Sequence, residues 1–466
     1  MLPALAGPGS YVIVCSQSTA DDPEWAKVIE TLNVQHQSQA TIRFPDGRPG
    51  DVIKQLRKIH PKYTCFVARH EEVTRKFVTR VHQMTRMLDD DPYADTMWGI
   101  LTGYNASNAK RIASTRQPLV IERVASGTEV ALEQCREGIW YCELKQGRMV
   151  RKKPEGKPVE GQGPADTTEA LADTLNNYNA QLFVTSGHAT ERGWQIGFTY
   201  RNGFFKCSGG KLFGVDTNGR RIEIQSPEPK VYMPIGNCLM GHIDSQDAMA
   251  LAWLKSAGVC QMLGYTVPTW YGYAGWGCLD YFVEQPGRFS FSEAYFANQH
   301  ALIHRLETCF PEIARVALKD PNEAGKMRTK IKVTAQAKLA GLEAQDAIGL
   351  LFDRDAVVFY GDPAWDARLT SGDCAYDQQL RQEGNKYTLL IKPRWGKKAF
   401  DPVNINGSQR GGRPIVAHFP QRLQDIRIAE GGTLNPVITD DFILVPNPGS
   451  SDGGALKVVF TAQPAG

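Results

Sequence analysis

The chain has 466 residues, 42% of them hydrophobic and 22% charged, and its 53 Lys and Arg against 50 Asp and Glu leave a formal charge of +3. So small a charge gives no electrostatic case for nucleic acid or an anionic membrane as partner, and no stretch approaches the roughly 18 consecutive apolar residues that span a bilayer. The length suits roughly two to four domains. The ten cysteines, with no close regular spacing and no CxxC pair, describe neither a small disulfide scaffold nor a zinc knuckle.

Residues 1–9 carry neither the basic region nor the apolar length of a signal peptide, which reads as cytoplasmic if Met1 is the native start. Residues 11–15 then form a continuous apolar run, the mark of a strand buried on both faces. Trp25, Val28, Ile29 and Leu32 recur at helical spacing. A strand is expected at 40–44, a turn at Pro45-Asp46-Gly47, a helix at 52–59, and buried strands at 63–68 and 96–103. This alternation predicts a parallel sheet covered by helices over residues 10–117.

The rhythm repeats over 118–375. Strands are expected at 119–124, 182–185, 231–235 and 259–264, and helices at 167–175 and 245–257. Residues 151–164, rich in Pro, Gly and charge, read as a break, and 289–350 as mostly helical. From about Asn385 the texture changes to short β-prone runs at 387–392, 415–419, 442–445 and 457–461, with an Asn-Gly turn at Asn406-Gly407 and a turn or loop at 446–454. That pattern predicts an Ig-like β-sandwich over 385–466. The chain is therefore read as α/β, with two tandem lobes and a C-terminal β-sandwich.

Two strand ends carry candidate chemistry. Phe183-Val184-Thr185-Ser186-Gly187 stops at His188, and Met233-Pro234-Ile235-Gly236-Asn237 stops at Cys238, fifty positions later. Parallel sheets place working residues at the carboxyl ends of their strands, so these two would bring an imidazole and a thiol to one rim. That is the minimum equipment of a cysteine nucleophile and its base. A helix beginning near Ser245 would point its positive end toward the thiol. Cys238, His242 and Asp244 also have spacing that could start a metal site, but no further Cys or His cluster supplies the remaining ligands.

These residues resemble the gingipain-like cysteine peptidases of the caspase-like clan. The likeness is carried by Thr185-Ser186-Gly187-His188-Ala189-Thr190-Glu191-Arg192-Gly193-Trp194 around the His and by Gly236-Asn237-Cys238-Leu239-Met240-Gly241 around the Cys. Asp95-Thr96-Met97-Trp98-Gly99-Ile100-Leu101 is similar to the strand closing the first lobe, and Phe359-Tyr360-Gly361-Asp362-Pro363-Ala364 to a later Gly-Asp-Pro segment. The resemblance covers about residues 10–370 and implies caspase/gingipain-like parallel sheet layers with flanking helices. It implies a cysteine endopeptidase in which Cys238 attacks the scissile carbonyl and His188 protonates the leaving amine. The N–H groups of Cys238 and Ala189 would form the oxyanion hole.

Ala189 stands where the family has Gly, and a positive φ there would be costly for alanine. Asn237 stands where the family has Ala or Gly. Trp270 and Tyr271, in the aromatic segment 268–277, are expected to line the specificity pocket. Glu122, Glu129, Glu133 and Glu191 are candidate acids there, and Arg123 and Arg192 candidate bases. The resemblance further implies a protein or peptide substrate, a secreted or periplasmic setting, no required cofactor, and calcium as a structural ion; Asp89-Asp90-Asp91 is the candidate for it, against a solvated acidic turn. Two other readings stand beside this one: a degenerate caspase-like fold acting as a binding or scaffold protein, and a different thiol enzyme such as a transpeptidase or amidase.

Overall fold

The computed structural model describes residues 11–405, 407, 409–449 and 453–465, at 328–330 the backbone alone. Residues 1–9, Asn406 of the expected Asn-Gly turn and 450–452 of the last loop lie outside the described residues.

Twelve strands form one continuous, mostly parallel sheet. Across it the order is Ala40–Phe44, Tyr11–Ser16, Tyr63–Val67, Met97–Leu101, Val357–Tyr360, Val259–Tyr265, Lys230–Pro234, Leu182–Thr185, Arg123–Ser126, Glu137–Tyr141, Arg148–Lys152 and Val159–Gln162. The first four are mutually parallel. Val357–Tyr360 runs parallel to Met97–Leu101 and antiparallel to Val259–Tyr265, so the five strands from Val259–Tyr265 to Glu137–Tyr141 point the opposite way to the first four, and Arg148–Lys152 reverses again. The two expected lobes thus share a sheet, and their carboxyl-end rims lie on opposite edges. Both faces are covered by helices, among them Pro23–His36, Arg75–Thr85, Met249–Ser256, Tyr273–Phe282 and Phe291–Cys309. That cover explains why the central strands read as unbroken apolar runs. No helix among the described residues is long and apolar enough to cross a membrane.

Four details differ from the sequence reading. The expected strand at 119–124 is two: Leu119–Ile121 pairs with Ala367–Leu369 in a separate sheet, and only Arg123–Ser126 joins the large one. The expected break at 151–164 contains the end of the strand Arg148–Lys152 and the whole of the edge strand Val159–Gln162, the latter exposed along its whole length. Charged, solvated edges are how sheets avoid pairing with other chains, and they carry no apolar signal. Between His188 and Lys230 the chain folds into a five-stranded antiparallel sheet that the sequence reading passed over. Finally, the helix expected from Ser245 starts at Met249, and its first N–H donates to the Glu191 carbonyl.

Seven strands between Tyr376 and Pro464 build two antiparallel sheets, of four and three strands. The first of them, Tyr376–Glu383, is largely polar and lies upstream of the runs read from the sequence. Val416, Phe442 and Leu444 of the smaller sheet pack into the main core. A buried ion network reinforces this contact. Asp280 of the helix Tyr273–Phe282 accepts from Arg410 Nε at 2.5 Å and Arg413 Nε at 2.9 Å, and Glu284 accepts from Arg410. Arg413 also lies over the Tyr273 ring, 3.9 Å from its centroid.

Removing one partner of a buried pair strands the other charge. Asp280→Ala should therefore cost about 3–5 kcal/mol, read as a fall in the denaturant midpoint of unfolding.

Candidate active site

Strands Arg123–Ser126, Glu137–Tyr141, Leu182–Thr185, Lys230–Pro234 and Val259–Tyr265 are parallel and in register, so their carboxyl ends share one rim. His188 and Cys238 follow the third and fourth of these strands.

Asn237 joins the two strand ends. Its side chain is fully buried; Oδ1 accepts from Thr185 Oγ1 at 2.6 Å and Nδ2 donates to the Gly187 carbonyl at 3.0 Å. The residue that departs from the family pattern is therefore a clamp on the segment leading to His188. Ser186 is held by the Trp194 indole, whose Nε1 donates to its carbonyl at 2.7 Å. Gly236 packs closely against this segment: a Cβ there would lie 2.9 Å from Ser186 Oγ, which would have to turn away.

Cys238 is half-buried. The Thr269 N–H donates to its Sγ at 3.2 Å, and Sγ lies 3.7 Å from the Thr269 carbonyl. Leu239, the next residue, takes the left-handed conformation at φ 59°, and Gly241 then packs against Gly264 so closely that a Cβ would lie 2.4 Å from its oxygen. A non-glycine held left-handed is strained, and such strain gathers at functional turns. Of the ten thiols, eight are buried; Cys238 and Cys374 alone reach solvent, and burial pushes the Cys374 thiol up.

His188 is exposed and its ring stacks on Phe198, with centroids 4.7 Å apart. It is not hydrogen-bonded to Cys238; the thiol turns to Thr269 instead. In the strand pair after it, the Gln195 N–H donates to the His188 carbonyl and Ala189 faces Trp194. Hydrogen-bonded pairs alternate along an antiparallel ladder, so the Ala189 N–H points away from its partner strand. Ala189 is not in a positive-φ conformation; the left-handed position is Gly187, at φ 92°. The alanine therefore carries none of the cost that the sequence suggested.

The other expected residues are dispersed. Within the segment 268–277 a buried helix starts at Tyr273. Trp270 is 43% exposed, whereas Tyr271 is buried over Gly349 and donates to Asp346 at 3.0 Å. Glu191 pairs with His242 at 2.8 Å and Arg192 with Asp244 at 2.8 Å, so Cys238, His242 and Asp244 face three different partners rather than one ion. The expected helix-dipole effect on Cys238 loses its basis, because the helix Met249–Ser256 starts late and its leading N–H is already taken. Among the remaining candidate charges, Glu122 pairs with Arg136, Glu129 with Arg148 at 3.4 Å, and Arg123 donates to the Asn179 carbonyl.

One acid went unconsidered in the sequence. Glu143 follows the strand Glu137–Tyr141 and is 7% exposed. Its Oε1 accepts from Thr128 Oγ1 at 2.7 Å, and Oε2 makes no well-formed hydrogen bond. That oxygen lies 3.7 Å from where a Cβ on Gly187 would sit. Burial pushes its carboxyl up to about 7, partly offset by the Thr128 and Ser186 hydroxyls. A single Glu after an apolar strand carries no motif; only the order of strands in the sheet places it beside Gly187.

Away from this rim, ligand oxygens of Asp89, Asp91 and Asp95 gather within 4.8 Å, the one such group among the described residues that could hold a cation. Asp90 is not part of it. Arg422 also reaches Asp89, at 3.4 Å.

No protein-family model matches the chain, and no curated protein matches it in sequence. Among solved structures, a chain described as "Structure of Protease" is similar over 98% of both chains, at 10% identity and a TM-score of 0.43. A likeness at that level establishes neither activity nor catalytic type.

Asn237→Ala would leave the Gly187 carbonyl without its side-chain donor and the Thr185 hydroxyl with the Tyr232 hydroxyl as its remaining partner; urea unfolding should show a loss of about 1–2 kcal/mol. Glu143 has a raised folded pKa, so its stabilising contribution is complete below the ordinary value of 4.5 and lost as pH rises through about 7. Across that window the wild type should lose up to about 3 kcal/mol relative to Glu143→Gln, with a flat difference above it. Stability measured against pH for the two proteins checks this.

Proposed function

We propose that the chain is a cysteine endopeptidase acting through Cys238 and His188. The observation that carries this reading is the Asn237 clamp: one buried side chain locks the His188 strand end to the segment that ends in Cys238. A thiol open to solvent, on a strained turn, sits on the same rim as an exposed imidazole.

In the proposed reaction the Cys238 thiol passes its proton to His188 as the sulfur attacks the scissile carbonyl carbon, forming a C–S bond and turning the carbonyl oxygen into an oxyanion. The oxyanion is met by the N–H groups of Cys238 and Ala189, the latter directed out of its hairpin. His188 then gives its proton to the leaving nitrogen as the C–N bond breaks, and a free amine departs. In the second half, water adds to the thioester while His188 takes its proton, and the acid product leaves with the thiol restored. His188 must turn toward the sulfur for this, and hydrogen bonds of this kind often tighten only once substrate is bound. Trp270, exposed beside Thr269, is the proposed wall for the side chain preceding the scissile bond.

The bond from Thr269 N–H to Sγ, in place of one to His188, favours the rival reading of a non-catalytic binding protein. A peptide-library cleavage profile separates the two. The wild type should cut; Cys238→Ala should stay folded and lose turnover; His188→Ala should lose about 100- to 10,000-fold in rate, the usual worth of a general acid–base. Undiminished cleavage by Cys238→Ala contradicts the assignment, and no cleavage by the wild type favours the binding protein.

A further inference from the structure

A groove of about 400 Å³ starts at His188 and runs along the antiparallel sheet that follows it, with walls from Arg192, Gly193, Phe204, Lys206 and Phe213. None of its walls is Cys238 or the Thr269 segment. Gly193, opposite Lys206 in the strand pair, forms part of the wall, and a Cβ there would lie 3.1 Å from the Phe205 carbonyl and 3.5 Å from Lys206 Cγ. Its floor is apolar, with Phe204 39% exposed.

The charges along it are unequal. Arg192 is neutralised by a two-pronged bond to Asp244, at 2.8 and 3.0 Å, and Glu191 is taken by His242. The Lys206 ammonium lies 5.4 Å from the centroid of the Phe204 ring and has no carboxylate partner among the described residues. The groove thus offers one uncompensated cation above an apolar floor.

We propose that this groove takes the leaving-group side of a peptide substrate and favours an acidic side chain there. The proposal rests on the peptidase reading above. A general acid faces the leaving nitrogen. A peptide with its carbonyl at Cys238 and its nitrogen toward His188 therefore sends the residues after the scissile bond along the walls that begin at His188. Lys206 then meets whichever side chain lies over Gly193, and an extended backbone can cover the apolar floor.

The test uses pairs of internally quenched peptides, identical up to the scissile bond and carrying Glu or Lys in the positions after it. For the wild type, kcat/KM should favour the Glu peptide about three- to fivefold, the size of one exposed ion pair. Lys206→Gln should remove the preference and Lys206→Glu should invert it. Because each ratio is taken within one protein, differences in the amount of active enzyme cancel. Equal cleavage of both peptides by the wild type, or a preference that survives Lys206→Glu, overturns the proposal. A substrate with an amide-linked fluorophore directly after the scissile bond tests the underlying reading separately. If the wild type cleaves it, the pair ratios decide the subsite alone; if the wild type cleaves neither it nor the peptides, the peptidase reading and the subsite fall together.

Discussion

The Asn237 side chain is the constraint on which the candidate site depends. It reaches, itself fully buried, from the end of one central strand to the end of the next, bonding the buried Thr185 hydroxyl and the half-buried Gly187 carbonyl. Without it, the turn before His188 would be held by the Trp194 indole and the following hairpin, with no side-chain bond to the Cys238 strand end. With it, the imidazole and the thiol inherit the register of two parallel strands. Rigid strand ends carrying short functional turns are the general solution for a site that needs precision from elements of a fold.

The rest of the molecule supports that rim from behind. The strand Val357–Tyr360 closes the gap between two half-sheets of opposite direction, and its Tyr360 hydroxyl donates to the Gly241 carbonyl at 2.8 Å, just past the turn at Cys238 and Leu239. The helix Tyr273–Phe282 carries Trp276 against Gly236, while its Asp280 holds two arginines, Arg410 and Arg413, from the segment leading into the C-terminal strand Ile415–His418. Those sheets are thereby fastened to the helix that backs the rim. The hairpin after His188 contributes in turn: Trp194 fixes Ser186, and the sheet beyond it forms the groove at Lys206.

How much was legible in the sequence follows from where the apolar signal lies. Strands at 11–16, 63–67, 182–185 and 230–234 are buried along almost their whole length, so their runs stand out. The polar strands at 148–152 and 159–162, the last two of the sheet, have no such run, and neither does most of the five-stranded sheet after His188. Ser245, Gln246 and Asp247 looked like the start of a helix, but their side chains are engaged with Arg192, the Tyr104 carbonyl and the Gly209 N–H. At the site, the two strand ends were legible because each apolar run stops at Gly before a reactive side chain. Asn237 read as a departure because a motif shows identity and not bonding. Ala189 read as a strained substitution, although the left-handed turn falls at Gly187. Glu143 has no signal in the chain at all, since its place beside Gly187 comes from which strands are neighbours in the sheet.

The central claim is that Cys238 is a nucleophile assisted by His188. The most direct test is mass-spectrometric mapping of the adduct formed by a peptidyl electrophile on the folded protein. The account predicts one adduct, on Cys238, formed much more slowly in His188→Ala. No adduct, or modification divided between Cys238 and the other solvent-reaching thiol, Cys374, would contradict it.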